Sequence, residues 1–357
     1  MSIDTNTIPN DEPVSALVLC DKGCEQFVAA ELESKYNIIA KTANRVCMFS
    51  ATIAQLGYIT FTIQGGIRIL RLATINDVTF EGSFKVEVLD ITKLSDSQKL
   101  AIDIGSQIYT RTKQPVDVKA PKHKLLHIIT EDATYFGFDL WHDALFKREY
   151  KLFNSSTALR ASVAFNMLTA GEYNASKTIL DPFCGSGTIL IEAALFGSNT
   201  SAREYQTEKL VLPLTENQKD TYAKSKQKPA PIYGYDIQTK AIDSTKKNAK
   251  IAGIGEYLNL GRCEIDNIDM KFKEGFVDCI ITAPPLFANH DTHKVHRIYQ
   301  QFFTRVPKIL NENGIIIILT NDFEAAQQHV SPDEFSIEQY PIWMGQEGLY
   351  IIKLKRK

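Results

Sequence analysis

The stretch KTILDPFCGSGTILIEAALF, residues 177–196, decides how this chain is read. Lys177 to Asp181 is apolar and partly β-branched, as a buried strand should be, and Thr188 to Phe196 is an apolar run of helical length. Between them, Gly185 and Gly187 stand two apart. Glycines at that spacing let the main chain turn tightly and approach a ligand closely, and the helix that follows begins with its first N–H groups unbonded. A dinucleotide-binding loop would need a third glycine at position 190, where this chain has Leu190, so the pyrophosphate fingerprint is incomplete.

Downstream of Ala161, strand-like runs (KTILD, PIYGYD, DCIIT, GIIIILT) alternate with helical ones (TILIEAALFG, TKAIDSTKKNAKIAG). Such alternation predicts an α/β domain with a parallel sheet covered on both faces, whose ligands bind beyond the carboxyl ends of the strands. Upstream, residues 16–75 read as strand (ALVLC), helix (EQFVAAELESKY), strands (IIAKT, RVCMFS), helix (AQLGYITFTIQGGI) and strand (RLATI), a ferredoxin-like order. A second α+β unit, residues 76–140, is read from FKVEVLD, SQKLAIDIGSQIYTRTK, VDVKAP and KLLHIIT. Residues 1–15 are expected to be a flexible N-terminus, 141–161 a linker with a loop and helix cap at Asn154-Ser155-Ser156, and 162–357 the α/β domain. The polar stretch TENQKDTYAKSKQKP, residues 215–229, reads as a solvated loop with a frayed helix.

Composition sets outer limits. The chain has 357 residues, 44% hydrophobic and 23% charged, with no apolar run of membrane-spanning length and a polar start, which together predict a cytosolic protein. Six cysteines are scattered through apolar segments, and Cys20 with Cys24 lacks the second pair that a zinc site needs, so buried reduced thiols are expected. With a net charge of −2, a nucleic-acid partner would have to be held by local basic patches.

Two further strand ends carry acids. PIYGYD ends at Asp236, whose carboxylate could accept two hydrogen bonds from vicinal ribose hydroxyls. A third strand near Gly261–Ile265 leads to Asp266 and Asn267, and Asp266 could accept from an adenine amino group. Last comes CIITAPPLFANH, residues 279–290, a buried strand stopped by two prolines that build a rigid corner at Ala283-Pro284-Pro285. S-adenosylmethionine, a nucleoside ligand without phosphate, suits this set.

DPFCGSGT, then Gly-Tyr-Asp about fifty residues on, then an acid, then a double proline after an apolar strand, resembles the class I S-adenosylmethionine-dependent RNA methyltransferases. In particular it is similar to the THUMP-domain guanosine N2-methyltransferases of the tRNA position 6 type, whose relatives act on ribosomal RNA. The likeness extends upstream: Gly23-Cys24-Glu25 with Glu31-Leu32 resembles the family's early segment, and LFKREYK, residues 145–151, resembles its linker, with Glu149 where glycine is usual. The resemblance implies a Rossmann-like methyltransferase sheet at the C-terminus, with ferredoxin-like and THUMP modules before it that grip a tRNA acceptor stem. It assigns the cofactor to Asp181, Phe183, Cys184, Gly185, Gly187, Thr188, Asp236, Asp266 and Asn267, and the chemistry to Ala283, Pro284, Pro285, Leu286 and Phe287.

The corner departs from the family at two places, because Ala283 stands for an asparagine or aspartate and Leu286 for a tyrosine. A guanine N2 lone pair is delocalised into the ring, and two acceptors on its N–H bonds turn it toward the methyl group; the stacked tyrosine holds the flipped base. Pro284 retains its carbonyl. Phe287 is expected to take over the stacking, and Asn289 or Asp291 the accepting. Arg111, Lys113, Lys119, Lys122 and Lys124, with Arg148 of the linker, are the expected RNA contacts. His290, His293 and His296 are read as a polar loop near RNA, and no metal is expected. The partner would be tRNA or another structured RNA, a protein partner is admitted, and no membrane is involved. Three alternatives share these residues: a catalytically weakened or inactive methyltransferase-fold RNA-binding protein, a ribosomal RNA guanosine N2-methyltransferase, and a nicotinamide-dependent oxidoreductase, which Leu190 and the double proline disfavour.

Overall fold

The structure, a computed structural model, describes residues 12–154, 159–287 and 292–357. The chain divides into two compact units, one of residues up to Leu145 with Arg203–Ala223, the other of Phe146–Ala202 with Lys224–Lys357.

In the first unit the strands are β1 (Val14–Leu19), β2 (Lys41–Ala43), β3 (Val46–Ala51), β4 (Arg68–Leu72), β5 (Phe84–Asp90), β6 (His123–Ile129) and β7 (Thr134–Asp139). Helices α1 (Glu25–Tyr36), α2 (Ile53–Thr62) and α3 (Ser97–Thr112) connect them. All seven strands share one sheet, in the order β2-β3-β1-β4-β7-β6-β5. The stretches read from sequence as two small units are thus joined through antiparallel pairing of β4 with β7. Strand β7 escapes a sequence reading because Gly137 interrupts it. That glycine is what permits the pairing, since a Cβ there would lie 2.2 Å from the Arg71 carbonyl oxygen.

Three expectations are corrected in this unit. VDVKAP is no strand: only Val116 bridges to Phe84, and the Asp117 carboxylate instead accepts the N–H groups of Lys119 and Ala120, a local turn that competes with pairing. The flexible N-terminus does not extend to residue 15, because Val14 and Ser15 already pair with Ala51 and Ser50; residues 1–11 lie outside the described residues. The stretch 215–229 holds a packed helix, Glu216–Ser225, whose Tyr222 ring is buried edge-on against Phe61 at 4.9 Å. Gln218 there donates to the Ala54 carbonyl at 2.7 Å. One aromatic anchor on a polar helix leaves no periodic signal.

The second unit starts with α4 (Ala161–Ala170), then β8 (Ile179–Asp181) and α5 (Thr188–Gly197). Helix α6, the Glu216–Ser225 segment, lies mostly in the first unit, and the second resumes with β9 (Ile232–Asp236), α7 (Thr239–Ile251), β10 (Leu258–Arg262) and β11 (Val277–Thr282). The chain closes with α8 (Thr292–Ile309), β12 (Leu310–Thr320), α9 (Phe323–Gln327), β13 (Phe335–Met344) and β14 (Glu347–Arg356). The sheet order is β10-β9-β8-β11-β12-β14-β13, with β10 through β12 parallel and the last two strands antiparallel. The order reverses between β8 and β11, which places a ligand crevice at their carboxyl ends. Strands β8, β11 and β12 lie at the centre of the core, with Leu180, Ile280, Ile316 and Ile318 fully buried. All six cysteines are buried free thiols. Among the described residues, no helix is long and apolar enough to cross a membrane.

Candidate cofactor and substrate site

Asp181 ends β8 fully inside the protein, where the Thr282 hydroxyl donates to it at 2.6 Å and the Phe183 N–H at 3.1 Å. Burial pushes its carboxyl up to about 7, assisted by the nearby Asp236 carboxylate and opposed by those two donors. An acid whose pKa is raised on folding binds its proton more tightly in the folded state, so its contribution to stability declines as pH rises from about 4, the ordinary carboxylate value, to about 7. Above that the penalty is constant. Asp181→Asn is therefore expected to flatten the pH dependence of stability in this window, which urea unfolding midpoints at about pH 4.5 and 7.5 would show; an unchanged slope would reject this assignment.

The two glycines serve different purposes. Gly185 has φ +54°, and a Cβ built on it would meet nothing within 4 Å, so the middle of the loop faces open space. Gly187 has φ +85°, and its Cβ would lie 2.4 Å from the Thr245 methyl, so there it is α7 that demands glycine. No side chain caps the N-terminus of α5, which follows the loop directly. Cys184 points inward: its thiol is buried and pushed well above its usual pKa, its N–H bonds the Tyr235 carbonyl and its carbonyl takes the Gly187 N–H. Thr188 is buried as well, so both residues shape the loop and do not line it. Phe183 packs on Phe302 with ring centroids 6.0 Å apart.

Asp236, at the end of β9, accepts the Gly185 N–H at 3.0 Å with one oxygen and the Gln238 N–H at 2.8 Å with the other. A carboxylate has about four acceptor sites, so capacity remains for ribose hydroxyls. Two residues that the sequence reading missed fasten the loop from α7. The Thr245 hydroxyl donates to the Gly185 carbonyl at 2.8 Å, and the Asn248 side-chain amide donates to the Ser186 carbonyl at 3.0 Å. Their signal in the sequence was only a threonine and an asparagine on an amphipathic helix.

Asp266 and Asn267 do not follow a strand directly. Strand β10 ends at Arg262, and both residues lie in a short 3-10 helix, Ile265–Lys271. The Asp266 carboxylate accepts from the Gln301 side chain and lies 3.8 Å from the Arg305 guanidinium, so α8 already engages it. Asn267 is exposed.

At the corner, Ala283 through Phe287 follow β11, next to β8 in the sheet. The Phe287 ring does not stand free for stacking. It is buried against Tyr299 at 4.9 Å and His296 at 5.2 Å, while the Phe287 N–H donates to the Asn321 side-chain oxygen at 2.9 Å. An apolar ring with a well-packed core site beside it gains more by burial than by exposure. Leu286 is partly exposed and Pro284 is buried. Ala288, Asn289, His290 and Asp291 lie outside the described residues, as do Ser155 and Ser156. His293 and His296 sit on α8 and not in a loop, and His296 shares a hydrogen bond with His329 at 2.9 Å. No group of three or more metal-ligating side chains occurs among the described residues.

The expected RNA contacts divide into two sets. Lys113, Lys119 and Lys122 are exposed. Arg111 is committed to the backbone, donating to the Ile75 and Val78 carbonyls, and Lys124 is paired with Glu87 at 2.7 Å and bonded to the His142 carbonyl. Arg148 is buried, gripping Glu192 of α5 through two bonds at 2.9 and 3.0 Å, and the Tyr150 hydroxyl donates to the same carboxylate at 2.8 Å. Lys124 and Arg148 are internal struts.

Residues 148–349 match the family described as RMKL-like, methyltransferase domain. Across 92% of its length the chain is 25% identical to the tRNA (guanine(6)-N2)-methyltransferase of Methanocaldococcus jannaschii, and the match covers 96% of that protein. It is also 25% identical to the ribosomal RNA large subunit methyltransferase K/L of Syntrophotalea carbinolica, over 77% of this chain and 44% of that one. The solved structure of SMU.472 complexed with SAH aligns with 97% of this chain and 99% of its own, at a TM-score of 0.80 and 17% identity, which shows a shared fold.

Proposed function

Because the chain belongs to the RMKL-like methyltransferase family, which residues 148–349 match, we propose that it transfers a methyl group from S-adenosylmethionine to a guanine N2 in structured RNA, with the tRNA acceptor stem at position 6 as target. The observation that carries this reading is the open glycine loop at the end of β8, held by Asp236, Thr245 and Asn248 beside the Pro284-Pro285 corner. The tRNA enzyme similar over 92% of the chain supports the substrate class, and the ribosomal enzyme supports a ribosomal guanine as the other target.

The residues fit the cofactor: the Gly185 backbone borders open space and Asp236 retains acceptor capacity. When bound, S-adenosylmethionine supplies a sulfonium-activated methyl group. Asp236 would hold the ribose, and the loop around Gly185 would admit the nucleoside because no side chain fills it. The Pro284 carbonyl would accept one N–H of the guanine amino group and so orient its nitrogen. Exposed Lys113, Lys119 and Lys122 would draw RNA phosphates to the N-terminal unit, which on this reading carries the ferredoxin-like and THUMP modules. The place of action would be the cytoplasm.

The same corner favours a second reading, a fold that binds cofactor and RNA without transfer and serves as an RNA chaperone or as partner to an active subunit. Ala283 offers no acceptor, Leu286 has no ring, and the Phe287 ring is buried. Tritiated-methyl transfer to unmodified tRNA and ribosomal RNA, with mass spectrometry of the nucleosides, decides between the two. Ala283→Asn is expected to raise turnover about tenfold or more with little change in cofactor affinity, since one preorganised polar contact is worth on that order. Wild type that binds S-adenosylhomocysteine and RNA, with neither form transferring a methyl, would establish the second reading.

A further inference from the structure

We infer that Asn248 is a positioning residue that ties the linker at Phe153 to the loop at Ser186, so that cofactor binding and the order of the linker are coupled; this rests on the reading of that loop as the cofactor site. Asn248 lies in α7 with no exposed surface. Its side chain works in two directions. The Oδ1 atom accepts the Phe153 N–H at 3.0 Å, while Nδ2 donates to the Phe153 carbonyl at 3.1 Å and to the Ser186 carbonyl at 3.0 Å.

An asparagine side chain is itself an amide. It can close a reciprocal pair with the N–H and C=O of one residue and still have a second N–H for another carbonyl. Aspartate would lose both donors and set a carboxylate against two carbonyl oxygens, and serine or threonine could not span the distance. Thr245, one turn earlier on the same helix, bonds the Gly185 carbonyl, so α7 grips two consecutive loop residues from one face.

The linker is fastened a second time upstream, where Arg148 and Tyr150 meet Glu192. Helices α5 and α7, which flank the loop, therefore both hold the segment between Arg148 and Phe153. Any ligand that narrows the motion of the loop must also narrow that of the linker, and linkage makes the effect reciprocal. Phe153 is partly exposed, with the Lys247 ammonium 4.9 Å from the centre of its ring.

The test combines calorimetry with S-adenosylhomocysteine and amide hydrogen exchange on the full chain. Asn248→Asp is expected to weaken binding about tenfold or more, through the loss of two buried hydrogen bonds. Thr245→Val should weaken it by a similar factor while Thr245→Ser, which keeps the hydroxyl, stays close to wild type. In the wild type, adding S-adenosylhomocysteine should slow exchange at the Phe153 amide about tenfold, and Asn248→Asp should abolish that response. A general structural role would lower the melting temperature and leave the response intact. Folded Asn248→Asp binding as tightly as wild type would overturn the inference, as would a Phe153 amide indifferent to ligand in the wild type, a measurement that decides the matter even if the variant fails to fold. Wild type that binds no S-adenosylhomocysteine would instead overturn the proposed function, and the inference with it.

Discussion

Glu192→Ala is expected to destabilise the protein by about 3–5 kcal/mol, because it breaks a buried, doubly bonded ion pair by removing one partner. The Arg148 side chain is 1% exposed and Glu192 is fully buried, and two parallel bonds at 2.9 and 3.0 Å join them. Truncation removes the carboxylate that accepts two bonds from Arg148 and takes the acceptor from the Tyr150 hydroxyl. The cost is one of desolvation, so the double variant Arg148→Met with Glu192→Leu, which removes both charges, should recover most of it. Urea unfolding of the single and double variants measures both numbers. A single-variant loss below about 1 kcal/mol would mean that water reaches the pair, contrary to the burial described.

Asp236→Ala is expected to weaken S-adenosylhomocysteine binding about 100-fold with the fold intact, since the two charge-assisted hydrogen bonds proposed to the ribose and the acceptor for Gly185 would disappear together. The comparison that gives this prediction its edge is Asp266→Ala. Sequence reading gave both acids a cofactor role, but Asp266 already receives the Gln301 side chain and faces Arg305. Its loss should shift affinity by less than about threefold, within the range of a half-exposed charge. Calorimetry on the two variants separates them. Equal effects would show that Asp266 turns from α8 to the ligand on binding, and a null effect at Asp236 would remove the ribose assignment.

Much of the methyltransferase unit was legible from residues close in sequence. Strand, glycine loop and helix in 177–196, the acid ending PIYGYD, and the double proline after DCIIT each declare themselves within twenty residues or fewer, because local backbone preference and apolar periodicity act over that range. From them followed the α/β class, the order of the elements and two of the residues proposed to hold the cofactor, Gly185 and Asp236.

What only the tertiary structure decided is which side chains are occupied. Asn248 meets Ser186 across 62 residues and Arg148 meets Glu192 across 44, so strand order and helix packing, and no local pattern, bring them together. A sequence marks an arginine as charged whether it grips RNA or a buried glutamate, and a phenylalanine as apolar whether it stacks on a base or fills a core beside Tyr299. Partner and solvent exposure set the energy of a polar or aromatic group, and both are properties of the packed chain. That is why Arg148, Lys124, Asp266 and Phe287 moved from candidate contacts to internal ones, while Thr245 and Asn248, plain in the sequence, became the clamps of the loop.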